Sequence, residues 1–579
     1  MKTLPKHLQK YIVEQNYKKY TPVEQASWRY ILRQLKAYLQ THAHDCYLEG
    51  LKKTGIEIES IPHIENISAK LQEFGWRAIP VSGFIPPAAF MELQSLGVLP
   101  IASDMRALDH LLYTPAPDIV HEAAGHAPIL IHPEFSDYLK QYAQVAKKAI
   151  ISKEDLNLYQ AIRVLSDIKE APSSTPEEIK AAEENLERVS KEISHISEAT
   201  ELGRMNWWTA EYGLIGDIKN PKIFGAGLLS SVGEAKWCLS ENVKKIPITV
   251  DCIKQGYDIT EPQPQLFVTP DFKTLGKVLD EMANEMAFRK GGVSSLKKAI
   301  LAQSVNTVQL NSGIQISGVL AEYITPPHPS QDIAYLKFAG PSQLSFEDNE
   351  LHGHGTQYHN NGFGTAIGKL KQFPSICPSE LSDSQWDLLH AAPAQKMTLE
   401  FTSGIRVEGI FNGRIMQNNK TILLSLTEAT ATYQNQILFD PSWGTYDLAI
   451  GSTIPSVYGG PADREAYGDT EDFIAARVPE RHYTPEEDLF QTQYLKIREL
   501  RYKNVTDTEL ENEIIKIIST HDEKFPKDWL LRLEIYELLS NRAPSANILK
   551  NVLKSLEKIG QQEPQVSSMI QDGLTNAKL

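Results

Sequence analysis

The sequence predicts an α+β protein in three stretches: a mainly helical first half, a β-rich middle from about residue 300, and a helical tail from about residue 484. Three observations predict it. Apolar residues recur at three–four spacing through much of the region from about 20 to 285. Apolar and polar residues alternate between Leu399 and Tyr433. Helical spacing then returns near the end, with Leu531, Ile535, Leu538 and Leu539 as a stripe. A chain of 579 residues is too long for one ordinary core. Three units are expected, at 1–290, 300–480 and 484–579.

In the first stretch, Thr21 is placed to cap a helix whose first position is Pro22. Trp28, Ile31, Leu32, Leu35 and Leu39 follow on one face. Residues 152–197 have a different texture. Ser152 to Ile168 carries Leu158, Ile162 and Leu165 on one face, and a turn-like Ala-Pro-Ser-Ser-Thr-Pro follows. Thr175 to Glu178 is a capping-box start, after which Ile179, Ala182, Leu186, Val189, Ile193 and Ile196 recur. This predicts a charged helical hairpin whose seam is too narrow for a core of its own. In the middle stretch Leu399–Phe401, Ile405–Val407 and Ile410–Phe411 alternate, Asn412–Gly413 predicts a hairpin turn, and Ile422–Tyr433 continues after Asn418–Asn419. The histidines of Leu351–His359 suggest a second metal site, but a Gly-rich polar stretch of this kind reads first as a loop.

Composition limits the function. The chain is 41% hydrophobic and 23% charged, as expected of a soluble globular protein. Its net charge of −15 and pI near 5.6 argue against nucleic acid and anionic membrane surfaces as partners. There is no run of about 18 apolar residues to span a bilayer, and Met1–Tyr20 lacks the apolar stretch of a signal peptide. Cys46, Cys238, Cys252 and Cys377 are scattered without paired spacing, so a reducing cytoplasm is expected.

The chemistry concentrates in Tyr113–His126, where His121 and His126 bracket a glutamate and a glycine as H-E-x-x-G-H. Histidines five apart lie about 140° apart around an ideal helix. Both reach one metal only if the turn deforms or ends, which Gly125 permits. Asp118 stands as a cap or first-turn acid. In Trp207-Trp-Thr-Ala-Glu211, a carboxylate set among apolar residues supplies a third ligand candidate. Two imidazoles and one carboxylate form the facial triad that leaves positions open for oxygen chemistry on iron. On spacing alone a second reading stands beside it: a hydrogen-bonded pair of helix histidines and a partly exposed glutamate.

Three segments carry a resemblance. Thr114–Pro128 resembles the iron-binding signature of the biopterin-dependent aromatic amino acid hydroxylases, Trp207–Leu214 the segment bearing their carboxylate ligand, and Phe224–Glu234 their substrate-pocket loop. With weaker similarity on either side, it covers about residues 20 to 285, and it implies that family's α+β catalytic fold. By resemblance His121, His126 and Glu211 hold Fe(2+). Arg106 meets the substrate carboxylate, Tyr113, Thr114 and Ser230 line the pocket, and Trp207 walls the substrate ring. Phe90 is the aromatic on which tetrahydropterin stacks, Gly83 a tight turn in the pterin loop, and Glu122 a carboxylate near the pterin. The partners implied are a free aromatic amino acid, O₂, tetrahydropterin and a possible second copy in a homo-oligomer. The implied reaction is ring hydroxylation, with Fe(2+) and the reduced pterin together activating O₂.

The sequence departs from the family pattern in places. Pro86–Ala89 replaces polar residues, and Pro100 and Asn206 stand where relatives often have His and Tyr. The interval from His126 to Glu211 is about twice the family's usual length, a surplus the hairpin accounts for. No separate regulatory domain is expected before the catalytic region. Ile259 stands where tyrosine hydroxylases have Asp, and Trp207 is bulkier than its counterpart in tryptophan hydroxylases, so phenylalanine is the expected substrate. The competing enzyme is a zinc metallohydrolase with Glu122 as base. For the second half, the alternative is a binding or scaffolding module. A chain ending near Gly291 or Gly292 is expected to keep iron binding and hydroxylation, because every assigned residue precedes it.

Overall fold

The computed structural model describes residues 4–83, 85–111, 117–170, 174–259, 261–326, 333–469, 483–540, 542 and 546–577. Helix Pro22–His42 starts where its cap predicts. The Thr21 hydroxyl accepts from the Glu24 N–H, and the Glu24 carboxylate accepts from the Thr21 N–H. Its predicted stripe faces the core of the first half. The opposite side is buried as well. There Tyr30 donates to the Met569 carbonyl at 2.9 Å and meets Trp529 edge-on, while Arg33 donates to the Asn576 carbonyl.

The covering elements are the tail helices Pro485–Tyr502, Asp507–Lys524, Leu530–Ser540, Ala546–Gln562 and Pro564–Asn576. Their apolar residues run without a break into the core of the first half. The seam carries buried charge. Arg29 donates to Glu59 and Glu534 at 2.7 Å each and to Glu537, and Arg501 donates to Glu534 at 2.5 Å. Charges taken out of water at such cost hold only while every partner stays in place. The helical tail is thus the second wall of helix Pro22–His42.

The hairpin forms as predicted, as Lys153–Glu170 and Pro176–Lys191, with a complete capping box at Thr175. Ala182 and Val189 are buried in its seam. Ile196 is exposed, because the second helix stops at Lys191 and its spacing no longer counts. Among the described residues no helix is long and apolar enough to cross a membrane, and the four cysteines are free thiols.

The middle stretch forms two antiparallel sheets. In the first, strands Ser456–Gly459, Val305–Gln309, Ile314–Ile324, Tyr335–Phe346 and Asn349–Glu350 lie in that order, and Gly362–Ala366 also pairs with Tyr335–Phe346. In the second, Lys396–Glu400, Ile405–Gln417, Lys420–Tyr433 and Gln436–Phe439 follow one another, with Tyr446–Ala449 added on Lys420–Tyr433. Asn412–Gly413 is not the turn. It lies inside strand Ile405–Gln417 at a register shift, and the chain reverses instead at Asn418–Asn419, both at positive φ. A glycine after an asparagine suits a bulge as well as a turn, and only the paired left-handed asparagines satisfy the tight turn that matches strand twist.

Gly291 and Gly292 form a joint rather than a loose end. A Cβ at Gly291 would lie 2.2 Å from the Ile454 carbonyl, and the Gly292 N–H donates to that same carbonyl. Helix Gly292–Ala302 then buries Leu296, Ala299 and Ala302 in the β-rich core, which Ile150 and Ala287 of the first half also enter.

Candidate metal centre and its pocket

Two parallel strands, Arg77–Val81 and Val98–Ala102, end side by side beneath the site. Beyond the first, Gly83 turns the chain at φ +58, as the sequence predicts. Beyond the second, the Asp104 carbonyl accepts from the Ile119 N–H, docking the start of the histidine helix. The next carboxylate, Asp118, performs two tasks at once. Its Oδ1 accepts from the His121 N–H, and it receives Arg106 bidentately, from Nε at 2.7 Å and Nη2 at 2.8 Å. Burial pushes the Asp118 carboxyl up, but the Arg106 charge and these hydrogen bonds outweigh it and hold it below the usual range.

The five-residue spacing of the histidines is resolved by winding. Val120–His126 is a π-helix, whose i→i+5 bonding stacks residues five apart on one face. Trp207–Glu211 is wound the same way, with the Tyr212 N–H donating to the Trp207 carbonyl. The two widened turns bring three ligand atoms together. His121 Nε2 lies 3.2 Å from His126 Nε2 and 3.2 Å from one Glu211 oxygen, and His126 Nε2 lies 3.3 Å from the other. Ligand atoms at about 2.0–2.1 Å from one metal lie roughly 3–3.4 Å apart, so this triangle fits a cation bound on its open face. Burial and the two imidazoles act oppositely on Glu211, and the imidazoles win, holding it far below the carboxylate range. Burial lowers His126, but Glu211 outweighs it and raises it to about 9. The cluster therefore attracts positive charge.

Gly125 serves a different purpose from the one its spacing suggests. It has no positive φ. A Cβ there would lie 2.6 Å from the Ala226 carbonyl of the following pocket loop. Gly125→Ala is expected to cost about 1–3 kcal/mol of stability by overpacking. A urea or thermal melt beside the parent checks this. Parental stability would mean the loop yields freely.

The pocket loop closes over the second turn. Gly225 packs so closely on Glu211 that a Cβ would fall 2.4 Å from its carbonyl. Ser230 donates to the Ala226 carbonyl at 2.7 Å, leaving its oxygen to face His121 Nδ1 at 3.2 Å. That arrangement places the Nδ1 proton toward the serine and leaves Nε2 bare toward the triangle. Arg106 adds a donation from Nη1 to the Ser230 carbonyl, and its side chain is 1% exposed. Glu122 is buried, burial pushes its carboxyl up, and its Oε2 finds no hydrogen-bond donor among the described residues. Trp207 stacks on Tyr212 and Tyr257 at 4.4 and 4.2 Å. Phe90 packs beside the small core of Leu4, Leu8 and Leu93. Tyr113 and Thr114 lie outside the described residues.

Several partners escaped the sequence reading. Asn206 donates to Glu211 at 3.3 Å, and its five-residue spacing from the ligand is the same π-turn signal as that of the histidines. Tyr212 donates to Glu234 at 2.8 Å, and burial raises Glu234 to about 7. The hairpin also returns to this side of the molecule, where a Cβ on Gly83 would lie 3.8 Å from Asp167.

The model of the family described as biopterin-dependent aromatic amino acid hydroxylase matches residues 9–155 and 182–315, so its gap falls inside the hairpin. The phenylalanine-4-hydroxylase of Mesorhizobium japonicum is 29% identical over 269 residues, which cover 46% of this chain and 81% of that protein. The Pseudomonas aeruginosa phenylalanine-4-hydroxylase is 30% identical over 265 residues, covering 45% of this chain and 84% of that one. A solved Chromobacterium violaceum phenylalanine hydroxylase with bound iron(III) and 7,8-dihydrobiopterin is 24% identical, with a TM-score of 0.38, and covers 49% of this chain and 92% of that chain. With its matched half spanning most of such relatives, this chain belongs to the biopterin-dependent aromatic amino acid hydroxylase family.

Proposed function

We propose that the protein hydroxylates the ring of free phenylalanine to give tyrosine, using Fe(2+) on His121, His126 and Glu211, a tetrahydropterin and O₂. The observation that carries this reading is the triangle of ligand atoms, 3.2–3.3 Å on each side, built on two π-turns. Iron and the reduced pterin together supply the activation of O₂ that no side chain provides. The chain's own residues bind and orient. Ser230 holds His121 by its far nitrogen, and Asn206 steadies the Glu211 carboxylate. Glu122 presents a buried carboxylate oxygen to a hydrogen-bond donor of the pterin or of a water. By the family resemblance Phe90 offers the pterin a stacking face, and Gly83 supplies a tight turn in the pterin loop. Trp207, braced by Tyr212 and Tyr257, is a stiff aromatic wall for the substrate ring.

Arg106 takes the substrate carboxylate. Asp118 occupies its Nε–Nη2 edge and the Ser230 carbonyl takes one Nη1 hydrogen, which leaves one hydrogen on each of Nη1 and Nη2 for a second partner. Arg106→Lys keeps the charge but cannot serve both edges. It is expected to raise KM for the amino acid roughly 10-fold or more, the effect of about 1.4 kcal/mol lost from a charged hydrogen bond, and to change KM for the pterin far less. Equal effects on both would remove Arg106 from the carboxylate.

Ile259 offers a phenolic hydroxyl nothing, which favours phenylalanine over tyrosine. The test is product identification after anaerobic Fe(2+) loading, with tetrahydropterin, O₂ and each aromatic amino acid in turn. Phenylalanine is expected to lead by on the order of 10 to 200-fold, the range a mainly apolar pocket achieves. A ratio favouring tryptophan would overturn the substrate, and no hydroxylated product from any of the three would overturn the reaction.

A further inference from the structure

The stretch that reads as a polar loop, Leu351–His359, is pinned and not free. The Leu344 N–H donates to the His354 carbonyl and the Ser342 N–H to the His359 carbonyl, so both histidines are tied to strand Tyr335–Phe346. Gly353, at φ +82, and Gly355, where a Cβ would strike the Glu350 carboxylate at 2.6 Å, let the chain coil this tightly. His354 Nδ1 and His359 Nε2 end 3.3 Å apart. Strand Tyr446–Ala449, in the other sheet, brings Asp447 to the same point. Its Oδ1 accepts from Ser425 at 2.5 Å, while Oδ2 lies 3.9 Å from His354 Nδ1. All three residues are more than nine-tenths buried or at that limit, and Asp447 is 4% exposed.

We infer that His354, His359 and Asp447 form a second binding site for a divalent first-row transition-metal ion, in the seam between the two sheets. Two features separate this from a plain histidine pair. Asp447 Oδ2 is buried and no donor among the described residues meets it in full hydrogen-bond geometry, although the Tyr358 hydroxyl lies close enough to bear on this carboxylate. A carboxylate oxygen left so is expensive unless a cation reaches it. The nitrogen separation is the other feature. Two nitrogens at about 2.0–2.1 Å from a tetrahedral ion stand roughly 3.3–3.4 Å apart, and Asp447 Oδ2, now 3.9 Å from His354 Nδ1, has to draw in to complete the set. The aromatic surroundings suit such a site, with Tyr358 edge-on to both imidazoles and Phe363 edge-on to His359. Nitrogen and carboxylate donors select zinc-like ions over calcium or magnesium, and three protein ligands leave a position for water. An ion here would bond the glycine-rich segment of one sheet to a strand of the other, so it stabilises the β-rich region.

The experiment uses the full chain stripped of metal and titrated with Zn(II), with metal per chain counted after gel filtration. The parent is expected to bind two equivalents, Asp447→Asn one, and the double variant His121→Ala/His126→Ala one. Adding Asp447→Asn to that double variant should leave none. Co(II) on the double variant should give visible ligand-field bands that Asp447→Asn or His359→Gln removes. Zn(II) should raise the melting temperature of the double variant and not of its Asp447→Asn derivative. Circular dichroism checks that each variant folds. If the alanine pair prevents folding, parent against Asp447→Asn alone decides, two equivalents against one. One equivalent in both, or binding and bands unchanged by Asp447→Asn and His359→Gln, would overturn the proposal and leave a hydrogen-bonded histidine pair.

Discussion

Replacing Glu211 by alanine is expected to strip the chain of iron and abolish hydroxylation. The carboxylate is one of three protein groups in the triangle and the one that brings negative charge to it. Without it, His121 and His126 face each other at 3.2 Å in a buried site with nothing to hold them apart but a weakly bound ion. Loss of an outer partner of a metal ligand typically costs about 10 to 100-fold in affinity or activity, and loss of the ligand itself exceeds that. Two comparisons make the result specific. His126→Ala should behave like Glu211→Ala. Asn206→Ala removes only the 3.3 Å donation to Glu211 and should retain measurable iron and turnover. Iron per chain after dialysis, read beside turnover, checks all three. A Glu211→Ala chain with full iron and full activity would mean that the third ligand lies elsewhere.

What the sequence made legible was local. The caps at Thr21 and Thr175 depend on residues three apart, and both stand as read. The five-residue spacing of His121 and His126 signalled that the helix must deform, and a π-turn is that deformation. What stayed hidden depended on distant partners. Ala26, Arg29, Tyr30 and Arg33 lie off the stripe that the spacing marks, and only the arrival of the tail makes their side an interior one. Asn412–Gly413 has the composition of a turn, but register across two long strands decided where the chain reverses. The His354–His359 pair reads as a loop until Asp447, on another strand, stands beside it. The family resemblance supplied roles for Arg106, Trp207 and Ser230 that spacing alone does not carry, and it did not reveal that Asp118 already holds one edge of Arg106.

Removing the helical tail is the second large effect, and its expected outcome differs from what the three-unit reading implied. A chain ending at Asp469 keeps both sheets and every residue assigned to the iron site, yet it uncovers the outer wall of helix Pro22–His42. Tyr30 loses Trp529 and the Met569 carbonyl, Arg29 keeps only Glu59, and Arg33 loses Glu537 and Asn576. Re-exposing each large apolar side chain costs about 1.5–3 kcal/mol, so a few of them rival the 5–15 kcal/mol that holds a typical domain folded. The damage also has a route to the site. At the end of this helix Ala43 bridges Ile223, just before the loop that presses Gly225 onto Glu211, and Tyr47 donates to the Ala124 carbonyl of the histidine turn. The tailless chain is therefore expected to melt clearly below the parent, because several kcal/mol are lost from the half that holds the site, and to hold less iron. A chain ending at Gly291, which also uncovers Ile150 and Ala287, should fare worse. Trp529→Ala in the full chain isolates the packing contribution, and it should lower the melting temperature without removing any charged partner. Thermal melts and iron content on the soluble fraction decide it. A chain ending at Asp469 that melts with the parent and keeps its iron would show helix Pro22–His42 to be stable with its outer face in water, and the tail would then be an appendage instead of a wall.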